Sequence, residues 1–166
     1  MCGIDAIIKR RSVREFKRDP IPQDVIMQII ECGRLAASGR NIQPWKFVAV
    51  TNKNTLNAIS EVAANGKFIK DAPLCILVFC LKDAKRRIED GAAATQNMLV
   101  GAKALGVSTC WIAGANTPHE EEVAAVVGAP EEYGLISMIA CGYAKNEEVK
   151  MPAKKEIVDI FVSEHF

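Results

Sequence analysis

Long apolar runs are missing from this chain: nothing approaches the roughly 18 consecutive apolar residues that a membrane-spanning helix needs. The opening Met1-Cys2-Gly3 leads straight into a charged segment without the apolar core of a signal peptide, so a cytoplasmic protein with no membrane partner is expected. Histidine is scarce, with only His119 and His165, and both stand among charged residues. The six cysteines form no CxxC pair, which excludes a zinc ribbon or a ferredoxin-like cluster, so no metal site is expected. Four of them, Cys32, Cys75, Cys80 and Cys141, stand in apolar segments and read as reduced small hydrophobes. An excess of charge of either sign is also absent, because 21 basic residues meet 20 acidic ones for a net charge of +1. That balance gives no global field for nucleic acid, so any anion must be held by a local cluster. Internal repeats and linker-like stretches are absent too, which makes residues 1–166 a single domain.

What is present is 49% hydrophobic and 25% charged, enough for a chain of this length to bury roughly 70% of its unfolded surface. Two stretches carry chemistry. The first is Lys9-Arg10-Arg11-Ser12-Val13-Arg14, four cations and a hydroxyl within six residues. Side chains alternate along an extended chain, so Arg10, Ser12 and Arg14 would share one face and offer a concentrated donor surface to a phosphate. The second is Ala37-Ser38-Gly39-Arg40-Asn41-Ile42-Gln43-Pro44-Trp45. Gly39 and Asn41 tolerate positive φ, Ser38, Asn41 and Gln43 bring short polar groups, and Pro44 restricts Gln43 to extended geometry. Each stretch has a plainer reading. A lone basic run is more often a solvated face, and a polar loop before a tryptophan serves equally well as a turn with a core anchor.

The hydrophobic pattern alternates helices with strands. Ile4, Ile7 and Ile8 predict a short helix over residues 5–10; Pro22 opens a second helix with an apolar stripe through Val25, Ile26, Ile29, Ile30 and Gly33. Residues 46–51 form a strand, and Asn52 or Thr51 caps the helix of Leu56, Ile59 and Val62. The unbroken apolar run over residues 74–81 suits a strand buried on both faces. The longest helix, residues 86–105, interleaves Gly91, Ala92, Ala93, Ala94, Gly101 and Ala102 with larger apolar residues, so another backbone can approach it closely; we read it as a subunit-interface helix closed by Gly106. A short strand at 108–112 leads to the small-residue turn Ala113-Gly114-Ala115-Asn116. Thr117-Pro118-His119-Glu120 has capping-box spacing, and residues 135–142 form the last strand.

Four segments in this order resemble the nitroreductase family of FMN flavoproteins: R-R-S-V-R-E-F (10–16), A-A-S-G-R-N-I-Q-P-W-K-F (36–47), D-G-A-A-A-T-Q-N-M-L-V-G-A-K-A-L-G-V-S-T-C-W-I-A-G (90–114) and G-Y-A-K-N-E-E-V-K-M-P-A-K-K (142–155). The resemblance spans essentially the whole chain. It implies an α+β fold, a three-layer α/β/α sandwich with a mixed sheet flanked by helices, assembled as an intertwined homodimer with FMN at the subunit interface and NADH or NADPH as electron donor. Carried over residue by residue, it implies that Arg10, Arg11 and Ser12 hold the FMN phosphate with Lys154 or Lys155, and that Arg14 lies at the pyrimidine edge. Asn65 would bond the polar edge of the ring, with Lys67 and Phe68 both in reach. Ala37, Ser38, Gly39 and Asn41 would border the ring from the other subunit, and Ala113 and Gly114 would approach its remaining face. The family often has proline where Ala37 stands.

The implied activity is electron transfer from NAD(P)H to flat acceptors such as nitroaromatics or quinones by a ping-pong mechanism, with no protein acid, base or nucleophile named. Only a short stretch separates the Trp111 strand from the Leu135 strand, so the lid over the pocket looks trimmed and discrimination weak. The rival readings are a related flavoenzyme with another task, such as enone reduction, reductive dehalogenation, flavin reduction or flavin fragmentation, and a non-enzymatic FMN-binding redox protein. A small nucleic-acid-binding protein using K-R-R-S-V-R is disfavoured by the near-neutral charge.

Overall fold

The sheet has the strand order β1-β2-β4-β3, with β1 Trp45–Val50, β2 Leu74–Leu81, β3 Ser108–Ala113 and β4 Tyr133–Gly142. The computed structural model describes residues 3–146 and 149–165. Cys2 lies outside them. All three strand pairings are antiparallel. The expected mixed character is confined to one isolated parallel bridge, Ser12 to Thr109, by which the basic segment lies along the open edge of β3. β2 and β4 are central and buried almost end to end, as their unbroken apolar sequences require.

Helices cover both faces and complete the three layers. On one face α2 (Gln23–Arg34) and α4 (Arg87–Ala104) pack over Ile76, Val78, Ile136 and Ile139, with α1 (Gly3–Lys9) against α4. On the other, α3 (Lys53–Val62) and α5 (Glu120–Val126) cover Leu77, Phe79, Leu135 and Met138. The Asn52 carboxamide oxygen caps α3 by accepting from the N–H groups of Asn54 (3.0 Å) and Thr55 (3.2 Å). Gly106, at φ 82°, closes α4 in the left-handed region, where a side chain would be strained.

Three local expectations change. The stripe of Ile4, Ile7 and Ile8 faces outward, and only Ala6 of α1 is buried. The small residues of α4 serve this chain's own packing: a Cβ at Gly91 would meet Ile136 of β4 at 2.7 Å, and one at Gly101 would collide with the Cys32 sulfur of α2. The interface role inferred for that helix therefore gives way, for these two glycines, to close approach by α2 and β4. Thr117 does not close a capping box, because its hydroxyl donates to the Gly114 carbonyl (2.6 Å) while Glu120 accepts from the Asn116 N–H (2.8 Å), so α5 starts only at Glu120.

Candidate functional site

The basic segment leaves α1 and is pinned in extended form on both sides. The Val13 N–H donates to the Thr109 carbonyl (3.0 Å), the Lys17 N–H to Tyr143 (2.7 Å), and the Lys145 N–H to Glu15 (3.0 Å). Val13 and Phe16 are buried by this pinning, which turns the intervening polar side chains outward. Ser12 bridges to Thr109 of β3, next to the buried Cys110. Burial pushes the Cys110 thiol up, while Arg14, Arg10 and the Ser12 hydroxyl pull it the other way. The alternation read from the sequence is thus realised at the open edge of the sheet.

Arg14 reaches further, holding its guanidinium 5.9 Å from the centre of the Phe68 ring, a cation–π contact that fixes the arginine's direction. Phe68 lies in the short turn Lys67–Asp71, so Arg14 is tied to the segment that follows Asn65, which is exposed. Of the two residues left open there, Lys67 turns away and donates to the Glu61 carbonyl (2.7 Å). On the other side of Arg10 lies a cleft of about 690 Å³ edged by Lys9, Arg10, Arg11, Lys17 and Lys103. Thr109 borders the same cleft and is 1% exposed, and its buried hydroxyl has no hydrogen-bond partner among the described residues. Five cations around a buried unpartnered hydroxyl suit a phosphate-bearing ligand.

Arg11 is committed elsewhere. It donates to the Ile8 and Arg10 carbonyls (2.7 Å each), satisfying the end of α1, and to the Met151 sulfur (3.0 Å), which tethers the C-terminal tail. Lys154 and Lys155 follow in that tail and are exposed. Beyond them Ile157, Val158, Ile160 and Phe161 are also exposed, Val158 to 82%. These four apolar side chains of the tail are left uncovered by the rest of the described residues.

Ala37, Ser38, Gly39 and Asn41 form a second group apart from the basic cleft, with Gly39 on the wall of another hollow. Their loop is held in an unusual backbone: Arg40, Asn41 and Gln43 have φ of 54°, 57° and 51°, so Gln43 is left-handed and not in the extended geometry expected before Pro44. Two bonds hold it. The Ser38 hydroxyl accepts from the Gln43 N–H (3.0 Å), and the Asp90 carboxylate of α4 accepts from the Gly39 N–H (2.9 Å). Asp90 is only 6% exposed, and sequence reasoning missed it. The available signal was a carboxylate in the first turn of an otherwise small and apolar helix.

Ala113 and Gly114 end β3. Gly114 is glycine because a Cβ would collide with Leu135, and its N–H donates to the Ile136 carbonyl (3.0 Å), so its smallness serves the sheet. The Ala113 carbonyl accepts from His119 Nε2 (3.0 Å). His119 is 5% exposed, not in the charged surroundings its sequence neighbours suggest. Glu120 beside it pairs with Arg87 (3.6 Å), tying α4 to this turn. Among the described residues no cluster of histidines, cysteines and carboxylates could hold a metal ion, and no helix is long and apolar enough to cross a membrane.

The chain is thus a three-layer sandwich with an arginine–serine cluster on the open edge of an antiparallel sheet. The model of the nitroreductase family matches residues 7–74 and 60–143, and the chain belongs to that family, a superfamily of oxidoreductases. It is 31% identical over 150 residues to a protein of Archaeoglobus fulgidus named "Putative NADH dehydrogenase/NAD(P)H nitroreductase", with 86% of this chain and 85% of that one aligned. An iodotyrosine deiodinase of Thermotoga neapolitana is 25% identical over 179 residues, covering 93% and 95%. Among solved structures, an FMN-dependent nitroreductase of Clostridium difficile superposes with a TM-score of 0.91 at 25% identity, covering 98% of this chain and 99% of that one.

Proposed function

We propose that this protein is an FMN-dependent oxidoreductase that passes electrons from NAD(P)H to flat acceptors such as nitroaromatics or quinones, in two half-reactions through one pocket. The observation that carries the reading is the cleft edged by Arg10, Arg11 and three lysines, beside the bridge of Ser12 to the strand that ends in Ala113. Relatives named for FMN and for NAD(P)H support the cofactor and the donor. FMN, when bound, supplies the hydride-accepting and hydride-donating chemistry that no side chain can provide.

The residues then have separable tasks. Arg10 and Ser12 hold the phosphate with charge-assisted hydrogen bonds, and Thr109, its hydroxyl unpartnered among the described residues, borders the same anion cleft. Arg11, bound to Met151, orders the start of the tail and so sets where Lys154 and Lys155 reach. Arg14, steadied on Phe68, presents positive charge to the pyrimidine edge, where it favours negative charge that develops on reduction. Asn65 bonds that same edge. His119 fixes the Ala113 carbonyl and with it the turn that faces the ring.

In this reading Ala37, Ser38, Gly39 and Asn41 serve the flavin of a second subunit, and the working unit is a homodimer. The outward faces of α1 and the tail supply the apolar surface such a dimer would cover. The deiodinase relative favours a second reading, reductive dehalogenation by the same flavin site.

Absorbance of the purified protein tests the proposal. It should be yellow, release FMN on denaturation, and bleach with NADH or NADPH. Initial-rate lines at several acceptor concentrations should be parallel; intersecting lines would indicate a ternary complex and defeat the two-half-reaction scheme.

A further inference from the structure

The proposed flavin contacts leave one hollow unused. Behind the Ser38 loop lies a cavity of about 570 Å³, bounded by Gly39, Arg40 and Ile42 of the loop and by Asp83, Lys85 and Arg86 of the connection between β2 and α4. It is within the size range of small-ligand sites. Three cations stand on its wall. Arg86 is partly engaged by Glu89 at 3.7 Å and lays its aliphatic stem against Gly39, where a Cβ would come within 3.1 Å of its Cδ. Arg40 and Lys85 have no ion pair or side-chain hydrogen bond among the described residues. Of the two carboxylates on the wall, Asp90 is buried and bound to the Gly39 N–H, whereas Asp83 is exposed and unpaired.

We infer that this cavity takes the adenosine-diphosphate half of the nicotinamide dinucleotide, with Arg40 and Lys85 on the diphosphate and Asp83 accepting from a ribose hydroxyl. The inference rests on the proposed reading of the chain as an NAD(P)H-dependent flavin enzyme, in which Ala37, Ser38 and Gly39 border the flavin ring. Gly39 is shared between that border and the cavity, so the cavity adjoins the place where a donor's nicotinamide would reach the ring. Guanidinium and ammonium groups without partners match diphosphate oxygens, and a carboxylate is the usual acceptor for an adenosine ribose diol. The positive φ of Arg40 matters here, since it turns a charged side chain outward from a loop whose backbone is otherwise bonded to Asp90 and Ser38.

The test uses the FMN-loaded protein and two donors with the same reducing ring: the whole dinucleotides NADH and NADPH, and reduced nicotinamide riboside, which lacks the diphosphate and the adenosine. Arg40→Asn keeps a residue that tolerates positive φ, and Lys85→Gln removes the second charge from an exposed position. The paired variant should raise the KM for both dinucleotides by about tenfold or more at low ionic strength, with kcat unchanged and kinetics on the riboside unchanged. ADP-ribose should compete with NADH in the wild type and lose that competition in the variant. An unchanged dinucleotide KM, or an equal rise for the riboside, would overturn the inference while leaving the flavin reading intact. Wild-type protein that bound no FMN and oxidised no donor would instead remove the reading, and the inference with it.

Discussion

The basic segment and the Ser38 loop reach rigidity by opposite routes. Residues 12–17 are held by backbone bonds to β3 and to the chain beyond β4 around two isolated bridges, and their outward side chains are left over for chemistry. The Ser38 loop runs through three non-glycine residues at positive φ, and its geometry depends on two side chains, Ser38 and the buried Asp90. A half-site built from ladder bonds tolerates substitution of its outward side chains; a half-site built from strained backbone does not tolerate loss of the groups that hold it.

The largest expected effect strikes the support of the loop. Gly101→Leu would drive a side chain into Cys32 and push α2, which leads into the Ser38 loop, off α4. Overpacking at such a contact costs about 3 kcal/mol or more, so chemical denaturation should show a large drop in midpoint. A variant of wild-type stability would mean that the two helices do not pack as described.

Next in size is Arg10→Ala, which takes one charged donor from the cluster without disturbing the ladder. FMN affinity should fall by roughly 1.5–3 kcal/mol while the unfolding midpoint barely moves. If fluorimetric titration gave unchanged affinity, the phosphate would have to be held elsewhere.

Asp90→Ala is the counterpart on the loop. It leaves the Gly39 N–H without its acceptor and should cost about 1–3 kcal/mol of stability, with faster hydrogen exchange at residues 38–43. Exchange unchanged in that segment would show that Asp90 does not hold the loop.

The mildest effect appears only in alkali. Burial pushes the Cys75 and Cys80 thiols from the ordinary value of 9.0 up to about 12, and the Asp90 carboxylate adds to the rise at Cys80. The folded chain keeps them neutral while the unfolded chain ionises them. Their contribution is therefore complete below about pH 9 and lost as pH rises toward about 12. Denaturation midpoints should fall through that window, less steeply in Cys75→Ala, and a slope unaffected by that substitution would assign the loss to other groups.

The three-layer class, the four strands and the membership of Arg10, Ser12 and Arg14 in one face were legible because each rests on a local period: alternation in strands, the helical repeat, an asparagine cap before Leu56. The face of α1 was not. Its isoleucines obey helical spacing, but spacing says only that residues share a side, and in the folded chain that side points outward. Nor could sequence spacing separate a glycine that admits a partner from one that admits a neighbouring helix of the same chain, as at Gly101.

The sequence by itself determined the segments, their order and the cluster of cations, since those follow from side-chain period and from charges that are adjacent along the chain. Only the tertiary structure decided that Asp90 meets Gly39, that Arg14 rests on Phe68, that Arg11 is spent on α1 and Met151, and that His119 is buried against Ala113. Apart from Arg11's bonds to its own helix and the short reach from His119 to Ala113, these contacts join residues far apart in the chain. They are set by which helix packs on which face of the sheet, and a local pattern carries no information about that choice.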